Sequence, residues 1–378
     1  MNPQRIEAND RVVGLDVARA LSVLGMIIVN FKMALGSQGA EWMQKLAGFL
    51  DGKASATFVT LSGTGIALMS NSAIRTMDAA KLRRVRGVVL KRALFLLVIG
   101  LLFYLIWPAD ILHYYAIYLP ISLTLLKASN GVLLLLAGGI IIAYPLLLSF
   151  VGYETSWNFD ALTYADFWTF QGFLRNLLVN GFHPVVPWVS FMMLGLWFGR
   201  LDLGDEKRLI RILTISVALF VFASTFSWSG RAVISFLNLA TAEPIALALG
   251  QGPMPPLPLY MITGSCAALI TISSCILIGN RFSKSFVIRA LHRTGQMALS
   301  LYLAHVFIGI GLVEEWDRSR MGRYPIEFTL PYALLFGLGC VGVASWWHGV
   351  TGIGPIEWLL KRFSRTSPGP SESLPPTG

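Results

Sequence analysis

Residues 132–150 read VLLLLAGGIIIAYPLLLSF, nineteen positions without a charge. At 1.5 Å per residue such a helix reaches about 28 Å, close to the ~30 Å hydrocarbon core of a bilayer. Comparable apolar windows recur at about 14–35, 54–72, 86–107, 110–127, 185–200, 209–228, 257–279, 294–313 and 328–350. Together they predict an all-α, polytopic membrane bundle of about ten spans. The composition points the same way. Of 378 residues 55% are hydrophobic and only 13% charged, which excludes a soluble enzyme held by one anchor. One transmembrane domain is expected over 1–363, followed by a Ser- and Pro-rich tail, 364–378, of disordered composition.

The net charge of +10 would suggest nucleic acid in a soluble chain. Here the positive residues act first as topology signals. With a cytoplasmic N-terminus, 21 of the 30 Lys and Arg fall on cytoplasmic segments, 8 fall on the opposite side, and Arg19 lies within the first span. That asymmetry predicts both termini in the cytoplasm of a multi-pass protein of the cell inner membrane, with no nucleic-acid partner. The first apolar run is too long for a signal peptide and lacks a cleavage site. Cys266, Cys275 and Cys340 lie in apolar runs, and none of the five histidines has metal-ligand spacing, so no metal is expected. The long outer segments are about 36–53, 151–184 and 229–256. The second is aromatic, suited to helices lying at the interface over a site or to anchoring.

Ionisable residues inside a bilayer are costly unless paired, which makes each a functional candidate. Asp16 and Arg19 share one helical face near the inner end of the first span, either as an internal ion pair or with Arg19 meeting an anionic ligand. Asn30, fourteen residues on, lies on nearly the same face at the outer end. Glu41 and Asp51 precede a Gly-rich stretch, Leu61-Ser62-Gly63-Thr64-Gly65, whose small residues permit close approach of a helix or a thin ligand. Asp110 and His113 are three apart at the opening of the fourth predicted span. A carboxylate beside an imidazole fixes its tautomer, as a general base requires, although Asp110 could equally cap a helix. His305 lies mid-span among Gln296, Ser300 and Tyr302, as a base or as a helix–helix hydrogen bond. His183 reads as a loop residue, His292 as solvated, and His348, after Trp346 and Trp347, as an anchor. The basic run Arg75, Lys81, Arg83, Arg84, Arg86, Lys91, Arg92 fits topology and anionic-lipid binding, and phosphate recognition would use the same groups.

The stretch from Leu15-Asp16 through Arg19 to Asn30 resembles the opening of the transmembrane acyltransferase superfamily, which includes the heparan-alpha-glucosaminide N-acetyltransferases and YeiB-like bacterial membrane proteins. The Asp51-to-Gly63 spacing is similar to the second conserved stretch of those N-acetyltransferases. Gly181-Phe182-His183-Pro184 to Gly199-Arg200, Asp110 to Ala116, Gly295 to His305 and Gly354-Pro355-Ile356-Glu357-Trp358 resemble segments of the bacterial relatives. One position departs: where the N-acetyltransferases carry a histidine ten residues before the aspartate, this chain has Glu41. The asparagine is matched by Asn30.

The resemblance implies transfer of an acyl group, acetyl foremost, from cytosolic acyl-CoA to a hydroxyl or amine of a glycan or glycolipid on the far side. Acetyl-CoA is then the donor substrate. Arg19, Arg83, Arg84 and Arg86 are expected to meet its phosphates, and Gly63 and Gly65 to line its narrow arm. His113 held by Asp110, Glu41, or His305 would serve as base, with Asp51 nearby and Asn30 donating to the oxyanion. A homodimer stays open. The rival readings are a proton-coupled transporter of a small amphiphile, with His305 and Asp110 as relay, and a lipid-binding scaffold.

Overall fold

The computed structural model describes residues 12–159, 161–237 and 243–365. Most of the predicted tail, 366–378, lies outside them. In chain order the helices are α1 (Val13–Leu35), α2 (Glu41–Gly48), α3 (Lys53–Arg75), α4 (Ala79–Tyr104), α5 (Tyr115–Thr124), α6 (Asn130–Val151), α7 (Phe170–Arg175) and α8 (Val185–Phe198). They continue as α9 (Glu206–Phe236), α10 (Glu243–Ala248), α11 (Pro258–Arg281), α12 (Phe286–Gln296), α13 (Ala298–Ala304), α14 (Gly311–Asp317), α15 (Ile326–Thr351) and α16 (Pro355–Ser364). Several begin at a polar side chain that accepts from an otherwise unbonded backbone N–H: Asp78 from Lys81, Ser129 from Val132 and Asp205 from Arg208.

All ten predicted windows are helical. Among the described residues seven helices are long and apolar enough to span a bilayer, or eight if the bent pair Phe170–Asn180 and Val185–Phe198 counts as one. The remaining predicted windows fall outside that set of long, apolar helices for physical reasons. α3 is rich in Ser, Thr and Gly, and it is buried inside the bundle; Thr57, Thr60, Thr64 and Ser70 bond back to their own helix's carbonyls, so its polar groups need no outside partner. α5 has only ten residues, about 15 Å. It is preceded by a 3-10 turn, Leu112–Tyr114, so Asp110 and His113 meet across a turn and not along a helix.

The center of the bundle is α3, packed on α8, α11 and α1. Its contact with α8 runs backbone on backbone. A Cβ on Gly63 would stand 2.3 Å from the Met192 carbonyl oxygen, and one on Gly195 would stand 2.0 Å from that of Thr60. Gly63 is thus a helix-packing residue.

One end of the bundle gathers basic residues and helix termini. There the Arg200 guanidinium donates to the carbonyls of Leu125, Leu126 and Ala128, closing the end of α5, while Asn71 donates to the Gly199 carbonyl and Lys91 to that of Arg365. At the other end the aromatic segment folds into a cap: a two-residue hairpin, β1 (Trp157–Asn158) with β2 (Thr163–Tyr164), followed by α7 and a π-helical turn, Asn176–Asn180. Arg175 clasps it, donating to both oxygens of Asp166 at 2.7 and 2.6 Å and to the Tyr164 hydroxyl at 2.7 Å. These bonds hold the half-buried Asp166 carboxyl below its usual range.

Candidate functional site

A cavity of about 2070 Å³ opens at the basic end. Its mouth carries Arg75, Asp202, Asp205, Lys361 and Arg365, with Arg200 committed to the carbonyls above. Further in, Arg19 of α1 and Arg92 of α4 face it. Arg19 also pairs with the buried Asp16, as the ion-pair reading of that residue expected. Along α3 the lining runs from Arg75 through Ser72, Met69, Gly65 and Ser62 to Phe58, a helical length of about 25 Å. The deep end is closed by Leu112, Tyr115 and Leu119.

Of the expected donor residues, Arg19 and Gly65 line the cavity. Gly63 packs on α8 instead, and Arg83, Arg84 and Arg86 lie on the exposed side of α4, outside the lining. The stripe that faces inward is Val89, Arg92 and Leu96, spaced three and four apart. Arg92 has a buried Nε without a hydrogen-bond partner, and its Nη1 approaches only the Met69 sulfur at 4.0 Å. That periodicity was readable in the sequence, but the inward side of α4 was not.

The turn at 112–115 is a partition. Leu112 and Tyr115 face the cavity, while His113 and Tyr114 between them pack among aromatic rings beneath the cap. His113 and Asp110 are both fully buried. Asp110 Oδ2 accepts from His113 Nδ1 at 3.1 Å and from the His113 backbone N–H at 3.2 Å; Oδ1 accepts from the Tyr302 hydroxyl at 3.3 Å. Those bonds place the imidazole proton on Nδ1 and leave Nε2, buried and without a partner, as a lone-pair acceptor. Gly100 of α4 permits the turn to lie so close: a Cβ there would stand 2.4 Å from the His113 nitrogen.

Tyr302 joins this group to a second. Its carbonyl accepts from His305 Nδ1, and His305 Nε2 accepts from Asn30 Nδ2 at 2.8 Å. Asn30 and His305, distant in sequence, therefore meet, and a π-helical stretch, His305–Ile310, begins at that histidine. Nothing in the sequence marked Tyr302 as the bridge.

The other candidates lie apart. Glu41 is exposed on α2 in an ion pair with Lys45, which holds its carboxyl below the usual range. Asp51 is gripped by Lys32 through both oxygens at 2.8 Å. At the basic end His292, expected in solvent, lies 3.3 Å from Asp16 and takes part in a chain through Gln296 to His348, with contacts of 2.9 and 2.5 Å. Glu357 of α16 also lines the cavity. It accepts from the backbone N–H of Leu299 and Ser300 at 2.7 and 3.0 Å and from the Ser300 hydroxyl, and burial raises its carboxyl above the usual range. No group of three or more His, Cys, Asp or Glu that could hold a metal occurs among the described residues.

Compared with known proteins, residues 11–240 match the family described as heparan-alpha-glucosaminide N-acetyltransferase, catalytic, over more than half of the chain. Residues 202–366 match a second family, described as a protein of unknown function, DUF418. No curated protein matches the chain.

Proposed function

The chain belongs to the heparan-alpha-glucosaminide N-acetyltransferase catalytic family, and from that membership we propose that it is an inner-membrane acyltransferase carrying an acetyl group from cytosolic acetyl-CoA to a glycan or glycolipid outside. The observation that carries this reading is the partition. A long cavity with a cationic mouth ends on one side of residues 112–115, and a carboxylate-held imidazole with a free nitrogen lies on the other.

In this reading the basic end faces the cytoplasm, as the charge asymmetry predicts. Arg75, Arg92, Arg19, Lys361 and Arg365 supply the cations that the phosphates and diphosphate of CoA require, and the length beside Gly65 and Ser62 receives the pantetheine arm. The acceptor arrives beneath the cap. Its X–H proton passes to His113 Nε2 as X attacks the thioester carbonyl; the C–S bond breaks, and His113 returns the proton to the departing thiolate. Asp110 holds the tautomer and balances the transient imidazolium, a role supported by its two bonds to His113. Asn30, already bonded to His305, is a source of hydrogen bonds to the oxyanion once that pair rearranges. Glu41, exposed and paired with Lys45, has no part in this scheme.

Purified chain in nanodiscs should be thermally stabilised by acetyl-CoA, and should release free CoA thiol only when an acceptor is present. Uptake of a solute driven by a proton gradient, with no thiol released, would establish the transporter instead.

A further inference from the structure

The cap end holds an unusual concentration of buried polar atoms without partners. They lie along a continuous run of rings: Tyr104 against His113 at 5.6 Å, His113 against Tyr114 at 4.0 Å, Tyr114 against His183 at 5.9 Å, and His183 against Trp188 at 4.6 Å. Asn176 is tied to the same run, its Oδ1 accepting from the Tyr114 hydroxyl at 2.9 Å. Tyr104 Oη, Asn176 Nδ2 and Trp188 Nε1 are buried with no hydrogen-bond partner, as are His113 Nε2 and His183 Nδ1. Native interiors tolerate few such atoms, and each costs free energy unless a ligand or water completes it.

The inventory is lopsided. Indole Nε1 and amide Nδ2 are donors only, and the Tyr104 hydroxyl has a proton without an acceptor, whereas the acceptors are two imidazole nitrogens. The nearest anion, Asp110, is committed on both oxygens, to His113 and to Tyr302. A ligand that satisfies this set must bring oxygen lone pairs. An ammonium brings none, and a neutral amine has a single lone pair, which it must spend in attack. A hydroxyl keeps one lone pair while it attacks, and neighbouring hydroxyls of the same group supply more.

We infer that this ring-lined cluster is the acceptor subsite, and that it takes a neutral polyhydroxy group and acylates it on oxygen. The inference rests on the acyl-transfer reading above and narrows it, since that reading is equally served by an amine. The step balances: the acceptor O–H proton goes to His113 Nε2, an O–C bond forms, the C–S bond breaks, and the thiolate leaves as CoA thiol with that proton. The product is an ester, although the name of the matching family describes an N-acetyltransferase.

Membrane vesicles bearing the full chain, incubated with acetyl-CoA labelled in the acetyl group, test this without knowledge of the acceptor. Vesicles lacking the chain provide the baseline. Chain-dependent label in the extracted glycan and lipid fraction should be released by mild alkali, as an ester is. Label that survives alkali is an amide and overturns the inference while leaving acyl transfer standing. No chain-dependent label at all overturns the acyltransferase reading, and the inference with it. Asn176→Asp and Trp188→Phe should each lower ester label by about tenfold with thermal stabilisation by acetyl-CoA unchanged. If both variants transfer as the parent does, the cluster is not the acceptor subsite.

Discussion

Arg92 distinguishes a binding residue from a structural one by the sign of two effects. Its guanidinium lies half-buried inside α4, its Nε is unpaired, and its nearest polar neighbour is a thioether. In the free protein that arrangement is unfavourable, because a desolvated donor without a partner costs about 1–3 kcal/mol. Replacing it by Met keeps the volume and removes the unpaired donor. Arg92→Met should therefore raise the stability of the ligand-free protein by about 1 kcal/mol or more, a rise of roughly 1 °C in melting temperature for each kcal/mol in a chain of this size. If the guanidinium meets a phosphate, the same change removes a hydrogen bond to a charged group worth about 1.5–3 kcal/mol, so acetyl-CoA should bind about 10- to 150-fold more weakly. Thermal unfolding with and without acetyl-CoA reads both effects in one titration. Arg83→Met and Arg86→Met, on the exposed side of α4, should change neither. Opposite signs at residue 92 identify a site that gives up stability for binding. Loss of stability with unaltered affinity would make Arg92 structural and undo the assignment of the cavity as the donor site.

His113→Ala should lower transfer by about 10²–10⁴-fold with acetyl-CoA stabilisation retained, Asp110→Asn should cost less, and Glu41→Gln should be nearly silent; the opposite ranking in a thiol-release assay would move the base to Glu41. Gly100→Ala drives a methyl into the His113 backbone, and a shift of about 1 Å at the base should cost on the order of 10²-fold in rate, so normal turnover in a folded variant would refute the tight α4 contact. Cysteines placed at Lys127 and Arg365 should react with an impermeant thiol reagent from one side of the membrane and one placed at Arg318 from the other, against native cysteines that are all buried; equal labelling would refute the topology. Because burial raises the Glu357 carboxyl above its free value of 4.5, the unfolded chain releases that proton first as pH rises. The stabilisation is fully present below pH 4.5 and is lost as pH climbs through the folded value. Melting temperature measured across that window should fall in the parent more than in Glu357→Gln, and identical slopes would exclude Glu357 as the source.

The helices were legible because apolar length is a physical requirement of a bilayer, and windows such as 132–150 admit no other reading. What was not legible was where a helix breaks. The window 110–127 is as apolar as its neighbours, yet Asp110 draws the His113 backbone N–H and imidazole onto one carboxylate, and the chain turns there before α5 begins. The Asp110–His113 pairing was visible, since three residues separate partners either in a helix or in a turn. Asn30 with His305 was visible only as two separate polar residues, because sequence carries no signal for a contact across 275 positions. Arg83, Arg84 and Arg86 were singled out by density of charge, but density cannot tell which side of α4 faces inward; that depends on where α3 and α5 pack. His292 was misjudged as solvated for a related reason: its partner Asp16 belongs to another helix.

The partition at residues 112–115 also has an electrical meaning. In the proposed topology a cavity penetrating about 25 Å along α3 would carry the potential of one compartment almost to the turn, and the membrane voltage would fall mainly across the few residues that separate Tyr115 from the cap. A full elementary charge crossing that step would experience about 2.3 kcal/mol per 100 mV. In the proposed transfer to a hydroxyl, an acylium equivalent would move outward as a proton moves inward with the CoA thiol, and the net charge transported would be zero. The proposed exchange is electroneutral, so an energised membrane would neither drive the overall reaction nor oppose it. The field would then act only on the transient charges of that step, the His113 imidazolium among them.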